Sequence, residues 1–284
     1  MKKIVLILLI ACAVCTGVFA QQSIYVSAQG NDNNDGLSEG KPLKSIDKAL
    51  TFAYEKNVYR VTVIGTLTKD NFSIFEDDDD FVFHFRNRAS AELLITGKPN
   101  ATGTVRAVLS AKGLNISAAV VFGTGTKIRF EHIEISGGEG EDGDGLVIYD
   151  DASVTLGPGT VIRGNKGTGV HVCEGNLLID GGEVRDNQDS GIMICESSTG
   201  IMRSGTIRDN RSPDIAGGVY IDEDGVFTMS GGTITGNRAV KSGGGVYVCT
   251  DGRFDKTGGT ITGNTAGQGS DHNVYRERGA LGSN

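Results

Sequence analysis

The chain has 284 residues, a formal net charge of −8, 43 glycines, four prolines and no tryptophan. Glycine is about twice as frequent as the roughly 7% of average proteins, and this excess with little proline excludes a proline-rich disordered chain and favours short strands joined by tight turns. The negative charge excludes nucleic acid and anionic lipid as partners, and it disfavours polyuronic acids unless a cation bridges the charges.

The first 20 residues are typical of a secretory signal peptide. Lys2 and Lys3 form a basic segment, residues 4–11 are apolar, and small residues precede a cleavage site after Ala20. We therefore expect export to the periplasm, the cell surface or the medium, and a mature chain without a transmembrane segment. Loss of the two lysines changes the formal charge from −8 to −10.

Residues 21–57 predict a strand, a polar turn and an amphipathic helix, in that order. Ser45 is a candidate N-cap for this helix. The apolar positions that recur at helical spacing are Ile46, Ala49, Leu50 and Ala53. The repeats described next predict stacked coils, whose first coil has an unpaired edge, so we interpret this helix as the cap of the stack.

Residues 58–284 predict the stacked coils themselves, irregular in residues 58–138 and regular in residues 139–284. The irregular part contains strand-like segments such as "RVTVIGTL", "FVFHFRN" and "AELLITG". Their spacing is uneven, so the sequence predicts coils there without a defined register.

The regular part repeats an asparagine after a short β-branched run, at intervals of 22 to 27 residues. The asparagines are Asn165, Asn187, Asn210, Asn237 and Asn264. This period is too short for a four-stranded propeller blade, and the leucine ladder and helix-forming residues of other repeat proteins are absent. A parallel β-helix remains, with coils about 4.8 Å apart and each asparagine at a tight corner, where it can bond to the next asparagine.

Alternation along the strands separates inward from outward side chains. The inward column is aliphatic in every coil and contains Val170, Ile192, Val219 and Val246. The outward column contains Val147, His171, Met193, Tyr220, Tyr247 and Tyr275. The predicted fold class is all-β: a single-stranded, right-handed parallel β-helix solenoid with an N-terminal amphipathic capping helix.

Two stretches carry a resemblance to known families. "IYVSAQGNDNNDGLSEGKPLKSIDKAL" resembles the opening of many secreted right-handed β-helix proteins, and the "ITGN…GGGV" units resemble the repeats of pectate-lyase-like proteins and of polymorphic outer-membrane proteins. Together they cover most of the mature chain. The resemblance implies the β-helix architecture, but it leaves the activity open because lyases, glycosidases, adhesins and inert scaffolds share it.

The outward column argues against catalysis in the regular coils. It has no Lys, Arg, Asp or Glu before the final coil, whereas β-helix lyases and hydrolases use such residues. His171 is the outward histidine of these coils, and without a carboxylate beside it we interpret it as a surface residue. No catalytic residue is assigned.

Hard oxygen ligands gather near one loop, which contains Asp142, Asp144, Asp150 and Asp151. Calcium could bind such a cluster, but the spacing matches no calcium motif, so we expect a solvated loop and no cofactor. The segment "NDNNDG" lacks the closing glutamate of a calcium loop and is interpreted as a turn.

The cysteines of the mature chain are odd in number. Cys173 and Cys195 occupy the same register in adjacent coils, where Cα atoms lie within the disulfide range of about 4.4–6.8 Å, so a disulfide and a pair of stacked free thiols are both open. Cys249 lies two coils beyond Cys195 and is expected to be unpaired.

Tyr220, Tyr247 and Tyr275 recur once per coil, and this stripe is the candidate ligand-binding feature together with His171. The rings could stack on successive sugars of a glycan, or they could form an aromatic ladder that supports the sheet. The sequence therefore predicts an exported, non-enzymatic binding or adhesin-like module for a neutral polysaccharide or cell-surface glycan. The alternative is a polysaccharide lyase or glycoside hydrolase with its site in the irregular coils.

Overall fold

The computed structural model describes residues 22–72, 81–87, 91–98, 107–140, 143–267 and 272–283. The predicted signal peptide, residues 1–20, and Asp142 of the acidic loop lie outside the described residues. Within the described part, no helix has the length and apolar character needed to cross a membrane.

The described residues form a parallel β-helix with three faces, and its strands are numbered β1 to β26 in chain order. Face 1 consists of β1 (Ile24–Ser27), β2 (Arg60–Ile64), β5 (Leu93–Gly97), β8 (Lys127–Glu131), β11 (Ser153–Leu156), the first halves of β14 (Asn176–Arg185) and β16 (Thr199–Arg208), β19 (Val226–Met229) and β23 (Arg253–Lys256). Face 2 consists of β3 (Thr66–Leu67), β6 (Ala107–Ser110), β9 (Ile133–Ser136), β12 (Val161–Arg163), the second halves of β14 and β16, β20 (Thr233–Thr235) and β24 (Thr260–Thr262).

Face 3 completes the coils, and three of the later coils also contribute to a corner strip. Face 3 consists of β4 (Phe81–Phe85), β7 (Ser117–Phe122), β10 (Leu146–Tyr149), β13 (Val170–Val172), β15 (Ile192–Ile194), β18 (Val219–Ile221), β22 (Val246–Val248) and β26 (Val274–Arg276). The corner strip consists of β17 (Arg211–Ser212), β21 (Arg238–Ala239) and β25 (Thr265–Ala266). The predicted fold class is therefore confirmed, including the irregular part, whose register the structure supplies.

One continuous core fills the interior because each inward residue is covered by its equivalent in the coils on either side. Val170, Ile192, Val219 and Val246 pair in register and are fully buried. Val274 of the last coil is only partly buried. Burial of one such aliphatic side chain contributes roughly 1.5–3 kcal/mol.

Faces 1 and 2 are continuous where β14 and β16 each run through the corner between them. The pairing of these two strands shifts register between Ile179 and Glu183. Gly181 and Gly205 lie at this bend with φ of 105° and 101°. A Cβ at Gly205 would also lie 2.2 Å from the carbonyl oxygen of Gly182, so both the backbone conformation and the close approach require glycine there.

The five repeated asparagines form a buried ladder at the corner between face 2 and face 3. In the first four, the amide nitrogen donates to the side-chain oxygen of the next asparagine at 2.9–3.0 Å, and the backbone N–H donates to the same oxygen at 3.0–3.2 Å. The ladder therefore satisfies the polar groups of a corner that is closed to water.

The N-terminal helix α1 (Ile46–Glu55) packs against the first strands with Ile46, Ala49 and Ala53 buried. Ser45 is its N-cap residue, but the Ser45 hydroxyl donates to Asp32 Oδ2 at 2.8 Å and makes no bond to the helix. Asp32 Oδ1 accepts the backbone N–H groups of Lys44 and Ser45 at 2.8 and 2.9 Å. The "NDNNDG" segment thus acts as a turn whose aspartate ties the cap to the solenoid.

Candidate functional site on face 3

The outer side of face 3 carries two neighbouring columns of side chains, one residue per coil in each. The first is the outward column of the sequence analysis, and pairing between strands aligns His171 with Met193, then with Tyr220, Tyr247 and Tyr275. The second follows two residues later in each coil and contains Tyr149, Cys173, Cys195, Asp222, Cys249 and Glu277. Residues two apart share one side of a strand, so both columns face outward.

His171 is held by a carboxylate, which corrects the expectation that it stands alone. Its Nδ1 lies 3.0 Å from Oδ2 of Asp144. Oδ1 of Asp144 accepts the backbone N–H of Thr168 at 2.6 Å, and Asp144 is only 7% exposed. With both oxygens engaged, Asp144 holds the imidazole ring in place and leaves Nε2 pointing at other partners.

Those partners are the two stacked cysteines. Nε2 of His171 lies 3.2 Å from Sγ of Cys195, and Sγ of Cys195 lies 3.6 Å from Sγ of Cys173. Of the two alternatives left open by the sequence, the structure has the free thiols. Each of the three side chains is half-buried, so the cluster is accessible from solvent.

The pKa values of the cluster favour a charged imidazole and a charged thiolate side by side. Burial alone lowers the pKa of an imidazole, but Asp144 and Cys173 raise the pKa of His171 to about 10. The pKa of Cys173 falls to about 5 because Cys195 and His171 hydrogen-bond to its thiolate, and this thiolate in turn raises the pKa of Cys195. One sulfur of the pair is therefore a thiolate beside the imidazole, and the thiolate is the nucleophilic form of cysteine.

Sequence reasoning placed Asp144 in an acidic loop and missed it as the partner of His171, because it sought carboxylates within the outward column. Asp144 precedes β10 by two residues and lies one coil before His171. The backbone pairing around Gly145 places it beside Thr168, and the next coils have Ser190, Gly217 and Gly244 at this register. A single carboxylate in a column that otherwise lacks them was the signal available in the sequence.

The tyrosine stripe forms a stacked ladder. The Tyr220 and Tyr247 ring centroids are 5.9 Å apart, and those of Tyr247 and Tyr275 are 4.9 Å apart with an interplanar angle of 25°. Tyr247 is 7% exposed, so its ring is not open to solvent, whereas Tyr220 and Tyr275 are half-buried. A ligand can therefore reach Tyr220 and Tyr275, but not the ring faces of Tyr247.

Polar groups line the outer edge of this ladder. The Tyr247 hydroxyl donates to Glu277 Oε1 at 2.6 Å, and the Tyr220 hydroxyl donates to Asp222 at 3.3 Å. Cys249, which is free and buried, donates its thiol to the Tyr220 hydroxyl at 3.1 Å. Earlier on the same face, on β10, Tyr149 is 37% exposed and stacks on Phe122 at 5.6 Å.

The outer side of face 2 has a different character. Glu134 pairs with Arg163 at 2.8 Å, and Glu183 pairs with both Arg185 and Arg208, at 3.1 and 2.7 Å. These charges are neutralised within the face. Asp150 and Asp151 of the acidic loop occupy an exposed turn after β10 with positive φ, while Asp144 is committed to His171 and Thr168.

The three faces, the parallel register and the asparagine corner define a parallel β-helix protein. The family model described as a right handed beta helix region matches residues 115–277, more than half of the chain, so the chain belongs to this family. The expected β-helix family is thereby confirmed.

Two solved structures are similar to the chain. Pectate lyase Pel9A is 15% identical with a TM-score of 0.51, and the match covers 93% of this chain and 80% of that one. The GH136 lacto-N-biosidase from Eubacterium ramulus is 11% identical with a TM-score of 0.41, covering 92% of this chain and 67% of that one. The search of curated proteins found no match. At the identity of the pectate lyase, the likeness shows the fold alone.

Proposed function

We propose that the protein is an exported, non-enzymatic β-helix that binds a neutral polysaccharide or cell-surface glycan along the outer side of face 3. The observation that carries the proposal is the row of accessible aromatic rings on this face, with hydroxyl and carboxylate groups beside them. Tyr149 lies at one end and Tyr275 at the other. Sugars present both apolar ring faces and hydroxyls, and such a mixed surface can contact both.

The spacing of the two end tyrosines supports a chain-like ligand. Five strand pairings separate β10 from β26, which corresponds to about 24 Å along the solenoid axis. An extended polysaccharide that follows the axis contacts Tyr149, Tyr220 and Tyr275 in turn. The formal charge of −8 for the chain favours a neutral over an acidic polymer.

An enzymatic role is the second candidate, and the Asp144–His171 pair is the observation that favours it. An imidazole held by a carboxylate on the ligand-facing side could act in proton transfer. A polysaccharide lyase or glycoside hydrolase with this pair at its centre would release unsaturated or reducing ends, whereas a binding module would release neither.

The test is a glycan array with the purified protein, followed by affinity measurements on the best neutral polysaccharide and an assay for new reducing ends and unsaturated products. We expect binding without turnover, and losses of at least five-fold in affinity for both Tyr149→Ala and Tyr275→Ala. Tyr54→Ala is the matched control, because Tyr54 is 49% exposed on α1, which packs against β1, β2 and β4 and not against the strands that carry Tyr149, Tyr220 and Tyr275.

Each alternative has its own outcome in this experiment. Equal affinity for all three variants would remove face 3 as the binding surface, and turnover abolished by His171→Ala would establish the enzyme instead. Exclusive binding of acidic polymers would contradict the charge argument.

A further inference from the structure

The cluster formed by His171, Cys173 and Cys195 has the donor atoms of a metal site. The imidazole nitrogen and the two sulfurs all lie within 4.8 Å of one another. His171 and Cys173 lie two residues apart on one side of β13 and its end, and Cys195 follows Cys173 one coil on. Three ligands therefore converge from two adjacent coils of a rigid solenoid.

We infer that His171 Nε2, Cys173 Sγ and Cys195 Sγ form a binding site for a soft or borderline transition-metal ion of the Zn²⁺ type. This inference does not depend on glycan binding.

The distances between the donor atoms fit one shared ion. With Zn–S of about 2.3 Å and Zn–N of about 2.0 Å, a tetrahedral site separates two sulfurs by about 3.8 Å and a sulfur from a nitrogen by about 3.5 Å. The structure has 3.6 Å between the two sulfurs and 3.2 Å between Cys195 Sγ and His171 Nε2. These two distances need shifts of only a few tenths of an ångström to reach tetrahedral values, and the third pair of donor atoms lies within 4.8 Å.

Asp144 supplies the support that metal-binding histidines require. A ligating histidine usually donates its other ring N–H to a carboxylate, which fixes the tautomer and the ring orientation. Asp144 Oδ2 lies 3.0 Å from His171 Nδ1, and its other oxygen is fixed by the backbone of Thr168. Asp144 is therefore a positioning residue for Nε2 rather than a ligand.

The donor set also selects the class of ion. Two thiolates with one imidazole suit Zn²⁺ and related soft ions, whereas Ca²⁺ requires oxygen ligands. Since the three side chains are half-exposed, a water or a small external ligand can take the fourth position.

The chain contains its own control thiol. Cys249 is free and buried, it contacts the Tyr220 hydroxyl, and it lies two coils beyond Cys195. Cys249→Ser therefore removes one thiol of the chain without touching the cluster.

The experiment is a titration of the purified, reduced full-length protein with Co²⁺ and Zn²⁺. Co²⁺ reports thiolate ligation and tetrahedral geometry through its absorption spectrum, and Zn²⁺ affinity follows from competition with a coloured chelator. We expect one equivalent to bind with thiolate-to-cobalt bands. Cys173→Ser, Cys195→Ser and His171→Ala should each weaken binding at least 100-fold, and Asp144→Asn roughly 10–100-fold. Cys249→Ser should bind as the unaltered protein does.

Several outcomes would overturn the inference. They are a wild-type affinity no better than that of Cys173→Ser, cobalt bands that persist in Cys195→Ser, and an affinity that falls equally in Cys249→Ser. A Cys173–Cys195 disulfide that forms in air despite saturating Zn²⁺ would also overturn it, since a metal on both sulfurs blocks that bond. Circular dichroism of each variant separates lost ligands from lost folding.

Discussion

On the outer side of face 2, Glu183 forms ion pairs with Arg185 of its own coil and Arg208 of the next coil. On the outer side of face 3, His171 and Cys173 of one coil lie beside Cys195 of the next coil. The same coils carry both surfaces, and the distance between neighbouring coils is the same on each. On face 2 the carboxylates are paired with arginines of the same face, so these charges need no ligand to neutralise them. On face 3 the stacked residues are rings, thiols and an imidazole, whose donor atoms remain available to a ligand.

This difference shows how a repeating fold separates stability from function. Inward positions must be apolar in every coil because each is covered by its equivalents above and below. Outward side chains contact only the side chains beside them on the same face. One face can therefore consist of ion pairs while another places thiols, an imidazole and aromatic rings side by side. The two faces share one interior, so substitutions inside and outside it should differ sharply in their effect.

The largest effect is expected when a charge is placed inside either face. Val219→Asp on face 3 and Ile234→Asp on face 2 each bury an unpaired carboxylate between stacked coils and should destabilise the protein by more than about 4 kcal/mol. Thr235→Asp is the outward control on face 2, beside Arg208 in the paired strand, and should change stability by less than about 0.5 kcal/mol. Chemical unfolding would measure all three. If only one interior variant were destabilised, the two faces would not share one core.

The second prediction compares two rings of the same ladder on face 3. Tyr247→Ala should cost about 3 kcal/mol, because it removes a buried ring stacked between two others together with its bond to Glu277. Tyr275→Ala should cost about 1 kcal/mol, since its ring is half-exposed and stacks on one neighbour. Thermal unfolding of both variants is the measurement. Equal losses would mean that Tyr247 is no more buried in solution than Tyr275.

The coils could be predicted from the sequence because their signal is repeated. Aliphatic residues at Val170, Ile192, Val219 and Val246 recur with one register, and the asparagines mark one corner in each coil. Strand alternation then decides which side chains face inward. The helix was predictable for a similar reason, since its apolar positions follow a single period over ten residues.

The candidate site was not predictable in the same way because its contacts cross between coils through loops. Asp144 and His171 are 27 residues apart, and the strand pattern fixes no register for the loop before β10. The burial of Tyr247 was not predicted either. Strand alternation shows that its side chain points outward, but it does not show that the rings of Tyr220 and Tyr275 cover it on both sides. Asp32 shows the same limit at the cap, where a turn residue engages Ser45 from 13 positions away.

The third prediction concerns the ion pairs of face 2. Glu183→Gln leaves Arg185 and Arg208 without their shared partner and should cost about 1 kcal/mol at low salt, because partly exposed pairs contribute only about 0.2–1 kcal/mol each. The cost should fall by at least half at about 1 M salt, because salt at this concentration screens the attraction between exposed charges. Chemical unfolding at the two salt concentrations provides the measurement, with Tyr247→Ala as a reference whose cost should not diminish in salt. A cost independent of salt would mean that Glu183 acts through packing.

The smallest effect is expected at Glu277, a carboxylate on the outer side of face 3. The pKa of Glu277 is lowered because the Tyr247 hydroxyl and the Thr250 backbone N–H donate to its carboxylate. A carboxyl group whose pKa is lower in the folded state stabilises the fold above its unfolded pKa, and the contribution disappears as the pH falls through the folded pKa. Glu277→Gln should therefore be slightly less stable than the unaltered protein at about pH 7, by under about 1 kcal/mol for this partly exposed group, and the gap should close by about pH 3. Melting temperatures of both proteins across that range would measure the gap. A gap that stays constant or widens toward acid would show that Glu277 contributes as a neutral hydrogen-bonding group, and the charge-based contribution on face 3 would then be absent.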